Sequence, residues 1–374
     1  MKKLFVSIIA LCALLSSCTS ELEAKLNDVL TTASQTYYAK ALDVEKSRGA
    51  CPFAFLGGEM TLAQDENMWA GGYFMGSLWL LSQWCEDAEL QTSADVLTYR
   101  YRVSESAELA ELLSVVNVAH FNGYQVTKNP RYEEAMGMLA KVMSNTFYNT
   151  YCMMKPLGND ADVNHCIAIN CMPAIECFHE MGWEHNLLIH GKNMMKFLSR
   201  DNGSVKEGVV LSKETGEWVD NITIYSESEN SAWARGQAWA LYGNTMLYRL
   251  TKDEVFLKHS KKVADYIIKN LPQDGVPNWD FTSDKLQKDS SAAAIMASAF
   301  IDLYGLTKDK AYLQVAEQQL ATLSSEEYLA KADECGGFLL KHGVENYPQG
   351  KFVDASLVYG DYYFIEAMIR YLNR

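Results

Sequence analysis

The 374-residue chain has no surplus of basic residues. It carries 33 Lys and Arg against 47 Asp and Glu, a formal net charge of −14, and loss of a leader containing Lys2 and Lys3 would lower it to −16. A surface this acidic repels phosphate backbones and gains nothing from counter-ion release. We therefore expect no nucleic-acid partner.

The chain also lacks any segment that would divide it. It has no proline-rich linker, no low-complexity tract and no block of like charges. With 48% hydrophobic and 11% aromatic residues, its composition is typical of a globular protein with a large core. We predict a single folded domain.

A paired-cysteine motif is missing as well. Nine cysteines are present, none in a CxxC pair, and seven remain once Cys12 and Cys18 are assigned to the leader. Those in the apolar stretch that contains Cys166 are typical of small core residues. Metal ligation by His165 and Cys166 is disfavoured, because no four-ligand spacing accompanies them. The residues therefore predict no metal.

The first 18 residues, MKKLFVSIIALCALLSSC, combine a basic start with an apolar run too short to span a bilayer. The ending LSSC resembles a lipobox, which predicts a signal peptide over residues 1–17 and a mature domain over 18–374. The protein is then an exported bacterial lipoprotein of the periplasm or outer membrane, with membrane contact only through lipid on Cys18. An ordinary secretory peptide cleaved elsewhere is the alternative.

A repeat runs through the rest of the chain. Segments that start at Lys128, Lys252 and Lys308 share a lysine and a polar residue, an aromatic at the fifth position and apolar residues at three- and four-residue spacing. These are amphipathic helices with equivalent starts. The segment from Gly182 fills the gap between the first two, so the unit is about 60 residues long.

Helices poorer in charge lie between these segments. They are MWAGGYFMGSLWLLSQW, CIAINCMPAIECFHEM, SAWARGQAWALYGNTMLYRL, SAAAIMASAFIDLYGL and DASLVYGDYYFIEAMIRYL. A helix that is apolar nearly all round is buried on both sides. Charged outer helices that alternate with buried inner ones predict an all-α fold, an (α/α)6 toroid, with a cavity at one end of the inner helices.

The stretch ENSAWARGQAW begins one of the inner helices, with Asn230 or Ser231 as the predicted N-cap. A helix from there places Arg235, Trp239 and Tyr242 on one face, with Trp233 near the mouth. Flat rings pack on sugars, and the arginine fork pairs with a carboxylate. The pattern predicts a site for an acidic sugar; a packed core with Arg235 satisfied by a buried acid is the alternative.

Several segments in order resemble the unsaturated glucuronyl hydrolases of glycoside hydrolase family 88. They are MWAGGYFMGSLWLLSQ, NGYQVTKNPRYEEA, SAWARGQAWALYGNTMLYRLTKD, LPQDGVPNWDF, DSSAAAIMAS and GGFLLKHGVENYPQGKFVDASLVYGDYYFIEAMIRY. The likeness covers most of the mature chain and is densest over residues 231–371. It implies a substrate with a 4,5-unsaturated uronic acid at the non-reducing end, as polysaccharide lyases leave it.

The resemblance also implies a reaction and a set of binding residues. A carboxyl group protonates C4 of the vinyl ether, water adds at C5, and the hemiketal opens and releases the remaining sugar; no metal or organic cofactor takes part. The partner is then an acidic oligosaccharide. The residues expected to bind it are Trp69, Trp233, Arg235, Gln237 and Trp239.

The chain departs from the family at three chemical positions. The family's HDxGF motif falls on residues 110–114, where only Glu111 is acidic, and Ile169 stands at the aspartate of its DNMMN motif, beside Asn170. A HQG motif has no match. Glu111 is therefore the predicted acid/base, against the simpler interpretation that it is a solvated glutamate; Asp160, Asp162, Glu227 and Glu229 are further acids near the mouth.

Two other functions remain open at this point. A lipoprotein that binds acidic oligosaccharides without catalysis would use the same rings and Arg235. An (α/α)6 enzyme of another reaction type, such as a lyase or an epimerase, would need a Tyr or His base facing the cavity, and its candidates are His120, His165 and His190.

Overall fold

The computed structural model describes residues 2–101, 112–146, 155–156, 164–212, 214–332 and 334–374. Its helices alternate between an outer and an inner layer. The outer helices are α1 (Lys2–Ser47), α3 (Ala88–Arg100), α5 (Pro130–Thr146), α7 (Glu184–Leu198), α9 (Glu254–Asn270) and α11 (Lys310–Leu323). The inner helices are α2 (Gly71–Cys85), α4 (Phe121–Thr127), α6 (Ile175–Glu180), α8 (Ala234–Thr251), α10 (Ser290–Thr307) and α12 (Val358–Leu372).

The inner helices form a closed ring. A π-helical segment, Leu112–His120, extends α4 at its start, and a 3-10 segment, Ile169–Ala174, extends α6. Each inner element contacts the next around the ring, and α12 returns to contact α2. Closure removes the exposed ends that an open helical array has to cap with polar repeats. The predicted (α/α)6 toroid is confirmed.

Three of the inner helices end in the same way, which explains the repeat in the sequence. Lys128, Lys252 and Lys308 each follow an inner helix with positive φ, between 52° and 58°, and each donates its N–H to a tyrosine carbonyl four residues earlier. An acceptor side chain then starts the next outer helix, as Asp253 does for Val255 N–H. The lysine and the polar residue therefore mark the joint between the layers.

The four long inner helices, α2, α8, α10 and α12, are buried over most of their length, as their composition predicts. Helix α10 is the one described helix long and apolar enough to cross a membrane, and most of its surface is buried inside the protein. Helix α2 approaches the π-helical segment so closely that a Cβ on Gly72 would lie 2.6 Å from the Ser114 carbonyl oxygen. Small residues in these helices let the ring close.

Within the described ranges, eight short strands that the sequence did not indicate lie beside the helices. They are β1 (Pro52–Leu56), β2 (Glu59–Leu62), β3 (Lys155–Pro156), β4 (Asn164–Ala168), β5 (Gly208–Ser212), β6 (Trp218–Ile222), β7 (Gly343–Asn346) and β8 (Lys351–Leu357). Two antiparallel sheets result, with strand orders β2-β1-β8-β7 and β3-β4-β5-β6. Most strands precede an inner helix in the chain, so the sheets surround the N-terminal ends of the ring.

Two predicted helix starts are therefore wrong. Cys166 to Ala168 pair with β5, and the helix predicted from Asp354 begins only at Val358, because Ser356 and Leu357 pair with Phe55 and Ala54 of β1. In both places, pairing with a distant strand satisfies the backbone in place of a helical turn.

Candidate functional site

The opening motif reaches the N-terminal end of the inner ring, but its helix begins later than predicted. Helix α8 starts at Ala234, with Trp233 as its N-cap residue and no side-chain cap. Ser231 lies before the helix, and its hydroxyl accepts from the Ser228 N–H at 2.8 Å. The neighbouring loop replaces the missing cap, since Ala234 N–H donates to the Trp279 carbonyl. The predicted N-cap at Asn230 or Ser231 is therefore wrong.

Arg235 is buried in the first turn of α8, with 5% of its surface exposed. Its Nη1 donates to Asp289 Oδ2 at 3.2 Å and to the Val344 carbonyl, and its Nη2 donates to the Glu345 carbonyl at 2.6 Å. One arginine thus joins α8 to the start of α10 and to strand β7. The sequence left open that Arg235 lies in a packed core and pairs with a buried acid. Such an acid is present, and it is Asp289.

These bonds leave one edge of the guanidinium available. Nη1 has two protons and both are used, while Nη2 has used one of its two. Among the described residues, none accepts from Nε or from the second Nη2 proton. This edge is the planar two-donor fork that pairs bidentately with a carboxylate. The buried ion pair and a carboxylate-binding site are therefore compatible on one side chain.

Aromatic rings surround this guanidinium. Its carbon lies 4.7 Å from the Trp233 ring centre, 5.2 Å from that of Tyr359 and 5.7 Å from that of Tyr225. Tyr225 stacks on Trp233 at 4.9 Å, and Trp69 stacks on Tyr359 at 6.0 Å. A cation held over ring faces is stabilised electrostatically. The structure thus brings Trp69, Trp233 and Arg235 together.

The other two predicted binding residues have different surroundings. Trp239 packs edge-on against Tyr363 at 5.1 Å, and Tyr73 connects Tyr363 to the rings around Arg235. Gln237 is 1% exposed, and its amide accepts from Val205 N–H at 2.8 Å and donates to the Val205 carbonyl at 3.0 Å. Gln237 holds the chain that leads into β5, whereas Trp239 belongs to the aromatic wall.

Burial and charge together set the protonation states at this site. Burial raises the pKa of Tyr359 well above its ordinary value; Arg235 opposes this shift and Glu345 adds to it. Burial and then Glu345 raise the pKa of Tyr225. Burial lowers the pKa of Arg235, but Tyr359, Asp289 and Glu345 more than offset that effect. The site therefore holds a permanent cation between neutral phenols.

None of the acids that the sequence suggested is seen next to Arg235 in the described part of the chain. Glu111, Asp160 and Asp162 lie outside the described residues, so the prediction for Glu111 stays a prediction. Glu227 is paired with Lys285 at 2.5 Å, and Glu229 accepts from Asn221 at 2.9 Å; both are exposed.

The histidines have the environment of core residues. His120 is buried, its Nδ1 lies 3.1 Å from the Val115 carbonyl, and its ring packs edge-on against Tyr132. His190 is buried in α7 against α8. Burial lowers the pKa of each ring to about 4, so both are neutral at physiological pH. The side chain of His165 lies outside the described part of the chain, as does that of Cys166.

Sequence reasoning missed three residues of the site. All three contact or flank Arg235: Tyr225 lies in the loop before α8, Asp289 is the N-cap residue of α10, and Tyr359 lies in the first turn of α12. The segments DSSAAAIMAS and VYGDYYF contain Asp289 and Tyr359, but nothing in their spacing indicates which side chain would reach Arg235. One general expectation could have pointed to them: residues that start the inner helices lie at the same end of the ring as Arg235.

Comparisons with known proteins agree with this architecture. No family model matches the chain. It is 32% identical over 337 residues to an unsaturated glucuronyl hydrolase of Formosa agariphila, across 82% of this chain and 80% of the relative. It is 26% identical over 326 residues to an unsaturated chondroitin disaccharide hydrolase of Streptococcus pyogenes, across 82% of each.

Solved structures give the same result for the fold. An unsaturated glucuronyl hydrolase specific for heparin superposes with a TM-score of 0.83 at 29% identity, over 93% of this chain and 98% of that one. The unsaturated glucuronyl hydrolase of Bacillus sp. GL1 superposes with a TM-score of 0.82 at 21% identity, over 91% and 96%. Relatives and neighbours named here are all hydrolases, so neither the binding-only function nor the lyase or epimerase gains support.

Proposed function

The chain belongs to the unsaturated glucuronyl hydrolase family, and from this premise we propose that it hydrates the 4,5-unsaturated uronic acid at the non-reducing end of lyase-generated oligosaccharides. The product is the saturated remainder of the oligosaccharide and an opened uronic acid. Relatives named for chondroitin disaccharides and for heparin make both kinds of disaccharide suitable first substrates.

The observation that carries this proposal is the guanidinium edge of Arg235. A uronic acid has a carboxylate on a flat, partly unsaturated ring. The free Nε and Nη2 protons match the carboxylate, and the rings of Trp233, Tyr359 and Trp69 supply flat apolar faces beside it. A neutral sugar would leave the buried cation without its second partner, so the site favours acidic sugars.

The proposed chemistry is general acid/base hydration. A carboxylic acid protonates C4 while the C4–C5 double bond supplies the electron pair, and positive charge develops at C5 and the ring oxygen. Water then bonds to C5, and its proton returns to the carboxylate. The hemiketal opens, C1 becomes an aldehyde, and the remaining sugar leaves with its hydroxyl. One water is consumed, and no cofactor takes part.

A single assay tests the proposal. The unsaturated uronide absorbs in the ultraviolet, and hydration removes the chromophore. We expect absorbance to fall when the protein is mixed with heparin- or chondroitin-derived unsaturated disaccharides, with release of the second sugar in equal amount. Constant absorbance with such disaccharides, together with measurable binding, would instead favour a non-catalytic oligosaccharide-binding protein.

We also propose that Cys18 carries lipid and that the protein is exported to the periplasm or outer membrane. The support is the leader sequence with its LSSC ending. Mass spectrometry of membrane-extracted protein is expected to show an acylated N-terminal Cys18, and Cys18→Ser is expected to release the protein from membranes. Recovery of soluble, unmodified wild-type protein would refute the anchor.

A further inference from the structure

Strand β7 holds the guanidinium of Arg235 in place. Its Val344 and Glu345 carbonyls accept from Arg235 Nη1 and Nη2, and its Val344 N–H donates to Asp289 Oδ1 at 3.3 Å. Both members of the buried ion pair are therefore bonded to the main chain of one strand. The direction of the free Nε and Nη2 edge depends on where this strand lies.

The neighbouring strand, β8, contains a bulge beside these bonds. Gly343 lies opposite Ala355, and Val344 lies opposite Val353. Asp354 is therefore the extra residue of β8. Its φ is 63°, a left-handed value that residues with a Cβ rarely adopt. A bulge interrupts the ladder of hydrogen bonds between strands, so pairing with β8 alone fixes the start of β7 less firmly than a regular ladder would.

A short hydrogen bond bridges this bulge. Nδ1 of the His342 ring lies 2.6 Å from Oδ1 of Asp354, and because a carboxylate can only accept, Nδ1 carries the proton. His342 comes immediately before β7 and has the same left-handed φ of 63°. Its carbonyl accepts from the Ser290 N–H at 3.0 Å, at the start of α10. His342 thus connects β8, β7 and α10, the last two of which supply the partners of Arg235.

Folding stability alone does not explain this pair. Both side chains are partly exposed, and an ion pair or hydrogen bond in contact with water contributes little to folding. Two residues with a Cβ are nevertheless held at positive φ, which has an energetic cost. Backbone strain of this kind persists where a site requires a fixed geometry. The nearest such site is the one around Arg235, because Val344 follows His342 by two residues.

We propose that His342 and Asp354 are positioning residues for Arg235, a role that rests on the proposed binding of the substrate carboxylate by this arginine. Their bond fixes the start of β7, so that the Val344 and Glu345 carbonyls meet Nη1 and Nη2 and the free edge is directed at the substrate. Without the bond, β7 can shift at the bulge, and the fork loses its alignment with the carboxylate. Neither residue is assigned a contact with the reacting atoms.

The test uses glycine variants, because glycine adopts positive φ without strain and therefore keeps the backbone while the bond is removed. We expect His342→Gly and Asp354→Gly each to raise KM for an unsaturated disaccharide about 10-fold with kcat little changed, because the fork binds the carboxylate equally before and during the reaction. The double variant should raise KM no further than either single variant, since all three lose the same bond. His342→Asn should stay closer to the wild type, because its amide donates from the position of Nδ1 and asparagine tolerates positive φ.

Lys341→Met is the matched control. Lys341 precedes His342 in the chain, and its side chain contacts Glu334 at 3.7 Å and the Glu326 carbonyl at 2.9 Å, neither of which belongs to β7 or β8. We expect its KM to equal that of the wild type. Thermal unfolding of every variant is measured in parallel, because a pair that served stability alone would lower the melting temperature and leave KM unchanged.

The outcomes separate this role from the hydration proposal. An active wild type whose glycine variants keep its KM, or whose Lys341→Met variant loses affinity to the same extent, overturns the positioning role and leaves hydration standing. A wild type that binds disaccharides without hydrating them overturns hydration, and the dissociation constant then replaces KM in the same comparison. A wild type that does neither overturns both. If a glycine variant does not fold, His342→Asp is measured in its place: it puts two carboxylates at the bulge, and an unchanged KM contradicts the role.

Discussion

At the scale of single residues, one side of the Arg235 guanidinium explains why this residue is buried, and the other side is where we propose that the substrate carboxylate binds. Three protons are used to hold Asp289 and the two β7 carbonyls, and the protons on Nε and on the other side of Nη2 have no acceptor among the described residues. The sequence predicted the cation and the Trp233 ring, because both lie within one motif. It could not predict the partners, because Asp289 and Val344 are 54 and 109 residues away.

We predict that Arg235→Ala loses both stability and affinity. Removing the cation leaves Asp289 buried without its partner, which costs about 3 to 5 kcal/mol of unfolding free energy. Arg235→Lys keeps a charge near Asp289 but not the planar fork, so it should be more stable than Arg235→Ala and still bind an unsaturated disaccharide at least about 10-fold more weakly. Urea unfolding and calorimetry measure the two effects. Unchanged affinity in both variants would contradict the proposal that the Arg235 guanidinium binds the substrate carboxylate.

Gln237 is expected to affect stability and not substrate affinity. Gln237→Leu leaves the buried N–H of Val205 without a partner, at a cost of about 1 to 3 kcal/mol, whereas the Val205 carbonyl still accepts from Arg200. Gln318→Leu is the matched control: it also removes a bond to a main-chain carbonyl, that of Gln273, but at an exposed position where water replaces it. Urea unfolding should separate the two variants. A raised KM with normal stability in Gln237→Leu would restore its predicted binding role.

At the scale of elements, the helices were predictable and the strands were not. The joints at Lys128, Lys252 and Lys308 repeat because each requires the same local backbone, and a local requirement leaves a local pattern. The strands are short, and β1 pairs with β8 across about 300 residues of chain. The five residues of a short strand do not indicate which distant segment the strand will pair with. Helix starts at the strand-to-helix joints were misplaced for the same reason.

The close contact between α2 and its neighbour gives a prediction at this scale. Gly72→Ala places a Cβ 2.6 Å from a main-chain carbonyl oxygen, which cannot move without shifting the π-helical segment, so we expect a loss of about 1 to 3 kcal/mol. Gly137→Ala in outer helix α5 meets nothing within 4 Å and should stabilise the protein by about 0.5 to 1 kcal/mol. Thermal unfolding of the two variants tests this. Equal effects would mean that the inner helices do not pack as described.

At the scale of the whole molecule, the fold buries several ionisable side chains that would be solvated at the surface. Burial lowers the pKa values of His120, His190 and His259 to about 4 and raises that of Asp361 to about 6. Between pH 6.5 and 4, the unfolded chain binds more protons at each histidine, so stability falls as pH falls. Asp361 acts in the opposite direction, because its folded form binds the proton more tightly. Three histidines outweigh one aspartate, and acid destabilises the ring.

His190 should account for a measurable share of this acid sensitivity. Neither ring nitrogen has a hydrogen-bond partner among the described residues, so His190→Leu removes a titrating group without breaking a bond. Lowering the pH from 7 to 4.5 should then cost the variant about 2 to 3 kcal/mol less unfolding free energy than it costs the wild type. Because the comparison is between pH values, any constant packing effect of leucine cancels. His185→Leu, at the exposed start of the same helix, is the control and should leave the pH dependence unchanged. Urea unfolding at the two pH values measures the difference, and parallel loss in all three proteins would show that His190 titrates normally in the folded ring.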